Sequence, residues 1–270
     1  MNISDFINKA ESFTNESEFN FISADIAIKP EYEEMRIFDS PMFGFASAGD
    51  PIFESFISPE IIGGHYLTPS AWLPGAKSVV SYFLPFTGKI NESNARDNSW
   101  PSDEWLHGRI EGQIFIIKLS AYLTDLLINA GFNSVSPVLD ARYGSGSATV
   151  KFSSNWSERH AAYACGLGTF GLSKNLITKK GVCGRFGSLI TEYNFPAADR
   201  LYNGVYEYCT MCGACVKNCP AGAISLEEGK KHEPCSNFVN SVMEKHGPRY
   251  GCGKCQVNVP CGNRAPVKIN

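Results

Sequence analysis

Eight of the ten cysteines in this 270-residue chain fall between positions 209 and 261. The densest stretch reads Cys209-Thr-Met-Cys212-Gly-Ala-Cys215-Val-Lys-Asn-Cys219-Pro220. Its C-x2-C-x2-C-x3-C-P spacing lets one loop wrap a 4Fe-4S cluster with three thiolates, while the fourth points away and serves a second cluster. Cys235, Cys252, Cys255 and Cys261 follow. If one ligand is exchanged between halves, as in two-cluster ferredoxins, one cluster takes Cys209, Cys212, Cys215 and Cys261. The other then takes Cys219, Cys235, Cys252 and Cys255. The interval from Cys255 to Cys261 departs from the ferredoxin run and leaves open that some of these are plain buried thiols. A zinc site needs only four ligands, usually as two separated C-x-x-C pairs, which this run does not match. The chemistry to expect is transfer of low-potential electrons. With all eight thiolates used, no iron is left open to a substrate, so the acceptor must be held by the rest of the chain.

The second informative stretch begins Ser157-Glu158-Arg159-His160 and continues through Cys165-Gly166-Leu167-Gly168-Thr169-Phe170-Gly171-Leu172-Ser173-Lys174-Asn175. Gly166, Gly168 and Gly171 spell G-x-G-x-x-G. A helix precedes them, whereas a dinucleotide fingerprint follows a strand. Close-set glycines let backbone approach a flat or bulky ligand; they serve equally well in a tight helix-to-loop turn.

Positioning these residues requires a mixed α+β fold, a sheet layered with helices. Ser78 to Phe83 reads as a buried strand after the turn Leu73-Pro74-Gly75. Glu111 to Ala130 has helical apolar spacing, and Gly131 fits its stop. A short helix is expected from near Ser157 to Gly166, and a strand over Ser188 to Tyr193. Asn91 to Asp103 is polar and reads as a surface excursion. The cysteine distribution suggests a boundary near Arg200, with one domain over 1–200 and a cysteine-rich module over 201–270.

Bulk composition is unremarkable: 24 basic against 27 acidic residues and 43% hydrophobic. The charge balance argues against extended nucleic-acid contact. No apolar run reaches the roughly 20 residues of a membrane span. Met1 to Glu18 resembles no signal peptide and holds no twin-arginine pair. A cytoplasmic protein with reduced thiols, available as metal ligands, is the expectation.

The combination of Glu158-Arg159, Gly166-Leu167-Gly168, Gly171, Lys174-Asn175, Gly187-Ser188, Leu189-Ile190-Thr191 and the ferredoxin run, with Leu73 to Val80 upstream, resembles the epoxyqueuosine reductases. It also resembles the catalytic core of reductive dehalogenases, over roughly residues 70 to 262. The resemblance implies a nitroreductase-like, cobalamin-binding domain joined to a ferredoxin-like module with two 4Fe-4S clusters. It implies that a low-potential donor such as ferredoxin or flavodoxin feeds electrons through the clusters to cobalt, which reduces an organic substrate. By the same resemblance Gly166, Leu167, Gly168, Thr169, Phe170, Gly171, Lys174 and Asn175 line the corrin. Arg185 would meet an amide or phosphate of the cofactor, with Ser188 beside it.

Epoxyqueuosine reductases carry a proton-donating aspartate six residues before the Glu-Arg pair; Phe152 stands there in this chain. The helical repeats that bind tRNA in that family and the export signal of reductive dehalogenases are both missing from this sequence. A distinct branch is therefore expected, acting on a small or moderate-sized molecule, with tRNA not an expected partner. Asp140 and Tyr143, before the loop Gly144-Ser-Gly-Ser147, are the candidate proton donors, with Arg142 as activating cation. They could equally cap a turn and pack. His160 could shuttle a proton, ligate cobalt or be structural; Cys165 and Cys183 read as packing. Trp100, Trp105 and Trp156 could wall a cofactor or sit in the core. Two further readings stay open: a protein that only reduces a bound corrinoid or a corrinoid protein, and the same fold holding FMN.

Overall fold

A computed structural model describes residues 2–144 and 150–269. Positions 145–147 of the predicted Gly/Ser loop lie outside the described residues. The elements are, in order, α1 (Ile3–Glu16), β1 (Met42–Ser47), α2 (Pro51–Ser55), α3 (Pro69–Trp72), β2 (Ser78–Pro85), α4 (Gly88–Ala95), α5 (Asp103–Asn129) and β3 (Ser134–Val135). They continue with α6 (Glu158–Ala164), β4 (Gly168–Phe170), β5 (Leu176–Thr178), β6 (Gly184–Thr191), α7 (Ala214–Lys217), β7 (Ile224–Ser225), β8 (Gly229–Lys230) and α8 (His232–His246).

The main sheet is antiparallel, with strand order β1-β2-β6-β3. Every residue of β2 is buried, as expected for a continuous apolar strand in the middle of a sheet. The two-residue period of the strand separates its faces. Val80, Tyr82 and Leu84 pack with Phe115, Ile116, Leu119 and Leu123 of α5. Val79, with Ile190 of β6, packs against Trp72, Trp156, Ala161 and Ala164. Helices thus cover both faces, a mixed fold with α5 on one side of the sheet and α6 on the other.

α5 begins eight residues before the predicted Glu111, at Asp103. Ser102 caps it, accepting from the Trp105 N–H at 3.2 Å. Its first turns escape an apolar-spacing pattern because the buried face carries Glu104, His107, Gly108 and Gly112. A Cβ on Gly108 would come within 2.9 Å of the Phe86 ring, and one on Gly112 within 2.9 Å of the Phe38 ring. The two rings stack 5.2 Å apart, so the glycines let the helix lie against them.

The segment from Asn91 to Asp103 is a surface excursion only in part: residues 96–99 are exposed, but its first half belongs to α4. Asn91, Ser93 and Asn94 are buried with hydrogen-bond partners: Asn91 donates to the Phe86 carbonyl and to Asn263 Oδ1, and Ser93 donates to the Ile90 carbonyl. Asn94 Nδ2 donates to the Cys252 carbonyl at 3.0 Å, and the buried Lys254 ammonium donates to the Asn94 carbonyl at 2.7 Å and to Asn94 Oδ1 at 3.0 Å. A second clamp joins Arg249 to Glu111 at 2.7 Å, with His107 on the same carboxylate at 2.9 Å.

Candidate cofactor and electron-transfer site

The eight clustered cysteines line two neighbouring cavities. Cys209, Cys212, Cys215 and Cys261 surround the smaller, together with Gly171, Ser173 and Ile177. Cys219, Cys235, Cys252 and Cys255 line one wall of a cavity of about 530 Å³. Burial pushes the Cys261 thiol up to about 12, and Cys209, Cys215 and Cys212 add to the rise. Burial also pushes Cys252 up to about 12, with Cys255 and Cys235 contributing. Four thiolates so close repel one another unless a cationic core sits among them. Among the described residues no three His, Cys, Asp or Glu side chains converge closely enough for a single ion. The two sets meet at one small apolar cluster, Leu172, Cys215 and Ile224, against which Cys209, Cys219 and Cys255 pack. Cys212 is exposed and Met211 is 43% exposed, so the smaller site lies near the surface.

Much of the remaining lining of the large cavity is polar. It carries Arg109 and Gln113 from α5, Tyr143, Glu158 and Arg159 from the start of α6, Asn175, Arg185 from β6, and Gln256. Neither Glu158 carboxyl oxygen, nor Arg185 Nε, nor Gln256 Oε1 has a hydrogen-bond partner among the described residues, although all are buried. Burial pushes the Glu158 carboxyl up to about 7. The Ser188 hydroxyl tempers that rise. It accepts from the Trp156 indole at 2.8 Å and makes no hydrogen bond with the carboxyl. Burial raises the Tyr143 phenol, Glu158 adds to this, and Ser154 and Arg185 oppose it. Asn175 Nδ2 donates to Cys255 Sγ at 3.5 Å, joining the polar wall to the thiol wall.

The structure redistributes the residues expected around a cofactor. Asn175 and Arg185 line the large cavity, and Gly171 lines the smaller. Gly166 to Phe170 do neither, because the glycine segment turns into the β4-β5 hairpin and packs on its own chain. A Cβ on Gly168 would lie 1.9 Å from the Ile177 carbonyl oxygen. Leu167 is buried, the Thr169 hydroxyl accepts from the Tyr208 N–H at 2.8 Å, and Phe170 packs on His160 and Tyr163. The Lys174 carbonyl accepts from Arg159 at 2.6 Å, and Ser188 is buried within β6.

Of the two candidate proton donors, Tyr143 reaches the large cavity and Asp140 does not. Arg142 pairs with Asp140 at 2.7 Å and donates to the Ala71 and Trp72 carbonyls. That hydrogen-bonded arginine holds the Asp140 carboxyl below its ordinary range, where it gives up no proton at neutral pH. The cation acting on Tyr143 is Arg185, distant in sequence. His160 packs between Phe56 and Phe170, and burial, then Arg159, pushes it down to about 4, so its ring is neutral and structural. Cys165 and Cys183 are buried and donate to the Val79 and Gln256 carbonyls. Trp156 sits in the core against Phe53 and Tyr66, and Trp105 lines the large cavity. Trp100 stacks on Phe238, another residue of that lining. Glu158 stands out in the sequence only as part of a motif, and its spacing does not reveal that its carboxyl is buried without a partner among the described residues.

Phe152 adopts a left-handed φ of 62°, is 54% exposed, and stacks on His232 at the start of α8. No helix among the described residues is long and apolar enough to cross a membrane.

The 4Fe-4S binding domain family matches residues 204–225. An epoxyqueuosine reductase of Bacillus cereus is 26% identical over 212 residues, 71% of this chain and 50% of that protein. Tetrachloroethene reductive dehalogenase of Desulfitobacterium hafniense is 34% identical over 113 residues, 39% of this chain and 20% of that protein. The chain spans half the length, or less, of these curated relatives. An epoxyqueuosine reductase solved with an epoxyqueuosine-modified tRNA-Tyr stem loop superposes with a TM-score of 0.56 at 18% identity, covering 99% of this chain and 67% of its own. A reductive dehalogenase whose structure suggests a mechanism for B12-dependent dehalogenation gives 0.56 at 14% identity, covering 83% of this chain and 30% of its own. In sequence this chain is similar to the epoxyqueuosine reductases and the reductive dehalogenases, and it shares their fold.

Proposed function

We propose that the chain is a cobalamin-dependent iron–sulfur reductase whose two cysteine sets hold 4Fe-4S clusters, with the nitroreductase-like part holding the corrinoid. One observation carries this reading: a thiol set and a wall of unsatisfied polar groups share a single cavity. A corrinoid supplies a strongly reducing, nucleophilic cobalt. The unpartnered oxygens of Glu158 and Gln256 and the Nε of Arg185 suit the amide groups on such a cofactor's rim. The surface set, Cys209, Cys212, Cys215 and Cys261, receives electrons from a small donor protein. The small apolar cluster that Cys215 shares with Cys219 and Cys255 makes the step to the inner set short. Tyr143 is the proton donor, with Arg185 stabilising its phenolate. The substrate is a small organic molecule or a modified base in tRNA.

The arginines of the polar wall favour one second reading, FMN held by its phosphate. Purified anaerobically and reconstituted, the chain should contain about eight iron atoms, four for each thiolate set. Hydroxocobalamin should then bind and change its visible spectrum on reduction. Binding of FMN in a parallel cuvette, with no corrinoid binding, would replace the first reading by the second. Iron near four per chain would eliminate one cluster.

A further inference from the structure

The polar wall holds more positive charge than the chain balances. Among the described residues, Arg109, Arg159, Arg185 and Lys230 line the large cavity against one carboxylate, Glu158. Arg159 has the Cys255 thiol beside it. Arg185 and Arg109 have only neutral partners: Arg185 Nη2 donates to Gln113 Oε1, and Arg109 Nη2 donates to the Tyr250 hydroxyl at 3.0 Å. The Arg109 guanidinium also lies 4.5 Å from the Tyr250 ring centre. Neither arginine forms an ion pair among the described residues. Arg185 Nε is buried with nothing to donate to. Burial, and then the neighbouring Arg109, pushes the Arg185 guanidinium down to about 9.

Two half-buried like charges held side by side repel unless an anion joins them. A guanidinium presents paired donors that match a carboxylate or a phosphate. Gln113 follows Arg109 by one helical turn, so both project from the same face of α5 toward β6. We propose that Arg185 and Arg109 form an anion subsite that receives a carboxylate or phosphate group of the substrate. Only the word substrate rests on the reductase reading; the anion does not. The subsite borders Tyr143, the proposed proton donor, which acts electrostatically on Arg185.

The test uses the full chain with reconstituted clusters, titrated with benzoate and with inorganic phosphate in a calorimeter at fixed ionic strength. Saturable binding of at least one probe is expected. Arg185→Met should weaken it by roughly thirtyfold or more, the loss expected when one partner of a desolvated charge pair is removed. Arg185→Lys should restore part of it. The Met variant should melt no lower than the parent in anion-free buffer, since it removes an unpaired charge. Absence of saturable binding, or unchanged binding in both Arg185→Met and Arg109→Met, overturns the subsite. Cobalamin and cobinamide, which lacks the nucleotide-loop phosphate, identify the source of the anion. If Arg185→Met weakens cobalamin but not cobinamide, the site holds the cofactor's phosphate and the substrate assignment falls. If the probes bind and neither corrinoid does, the subsite stands and the reductase reading falls.

Discussion

The Glu158 carboxyl is held up to about 7 by burial against an ordinary value of 4.5. The folded chain therefore keeps this proton more tightly than the unfolded one. Its contribution to stability is highest below about 4.5, falls as pH rises toward 7, and levels off above. At 1.36 kcal/mol per pH unit, the interval is worth at most about 3 kcal/mol. Glu158→Gln should remove that slope, so its unfolding midpoint gains on the parent's between pH 5 and pH 8; an equal difference at both pH values would count against the buried carboxyl. Asn175 offers a second test. Hydrogen bonds to ligand sulfur are among the determinants of cluster potential. Asn175→Ala removes the donor to Cys255, so the inner cluster's midpoint in an EPR-monitored titration should move to more negative potential. An unmoved midpoint would show that the bond is absent from the loaded protein. At this scale the sequence was most legible in the cysteines: the quartets expected by analogy with two-cluster ferredoxins are the sets that line the two cavities. It was least legible where the partner is remote. Arg142 is adjacent to Tyr143 in the chain, yet Arg185, brought in by β6, is the cation that acts on it.

At the scale of elements, β2 and α6 were readable because a mostly apolar run broken only by Ser81 and an alanine-rich turn after Ser157 leave few alternatives. The start of α5 was hidden by the same glycines that seat it. Alanine at Gly112 would gain about 1 kcal/mol in helix propensity. Its Cβ would also meet the Phe38 ring at 2.9 Å, where Phe38 is fully buried and stacked on Phe86. Overpacking of that kind costs about 1–3 kcal/mol. Gly112→Ala should therefore be destabilising on balance, measured as a lower urea midpoint; a higher midpoint would mean that the ring moves freely. The glycine segment after α6 carried an ambiguity that spacing could not resolve. Close backbone approach was foreseeable, but the approaching group is Ile177 of the paired strand rather than a ligand.

At the scale of the molecule, the division near residue 200 falls in the stretch between β6 and α7, which has no helix or strand. The two sides of that stretch are tied by buried polar contacts, which a composition shift cannot disclose. Lys254 is 1% exposed and its ammonium is spent on carbonyls around the end of α4. Lys254→Met would strand those acceptors, a cost of about 3 kcal/mol. It should also loosen the loop that carries Cys252 and Cys255, so iron per chain should fall toward four while the outer set stays filled. Full iron with unchanged stability would contradict the clamp. The sheet raises a matter of timing. β2 sits between β1 and β6, and Ser78 is register partner to Thr191, more than a hundred residues later. At roughly 5–20 residues per second, a ribosome needs about 5 to 20 seconds to deliver that partner. For that interval the most apolar strand of the nascent chain has one open edge, a place where another copy could pair. Yield of soluble protein should therefore depend on translation speed and on chaperone supply more than the stability of the finished fold would suggest.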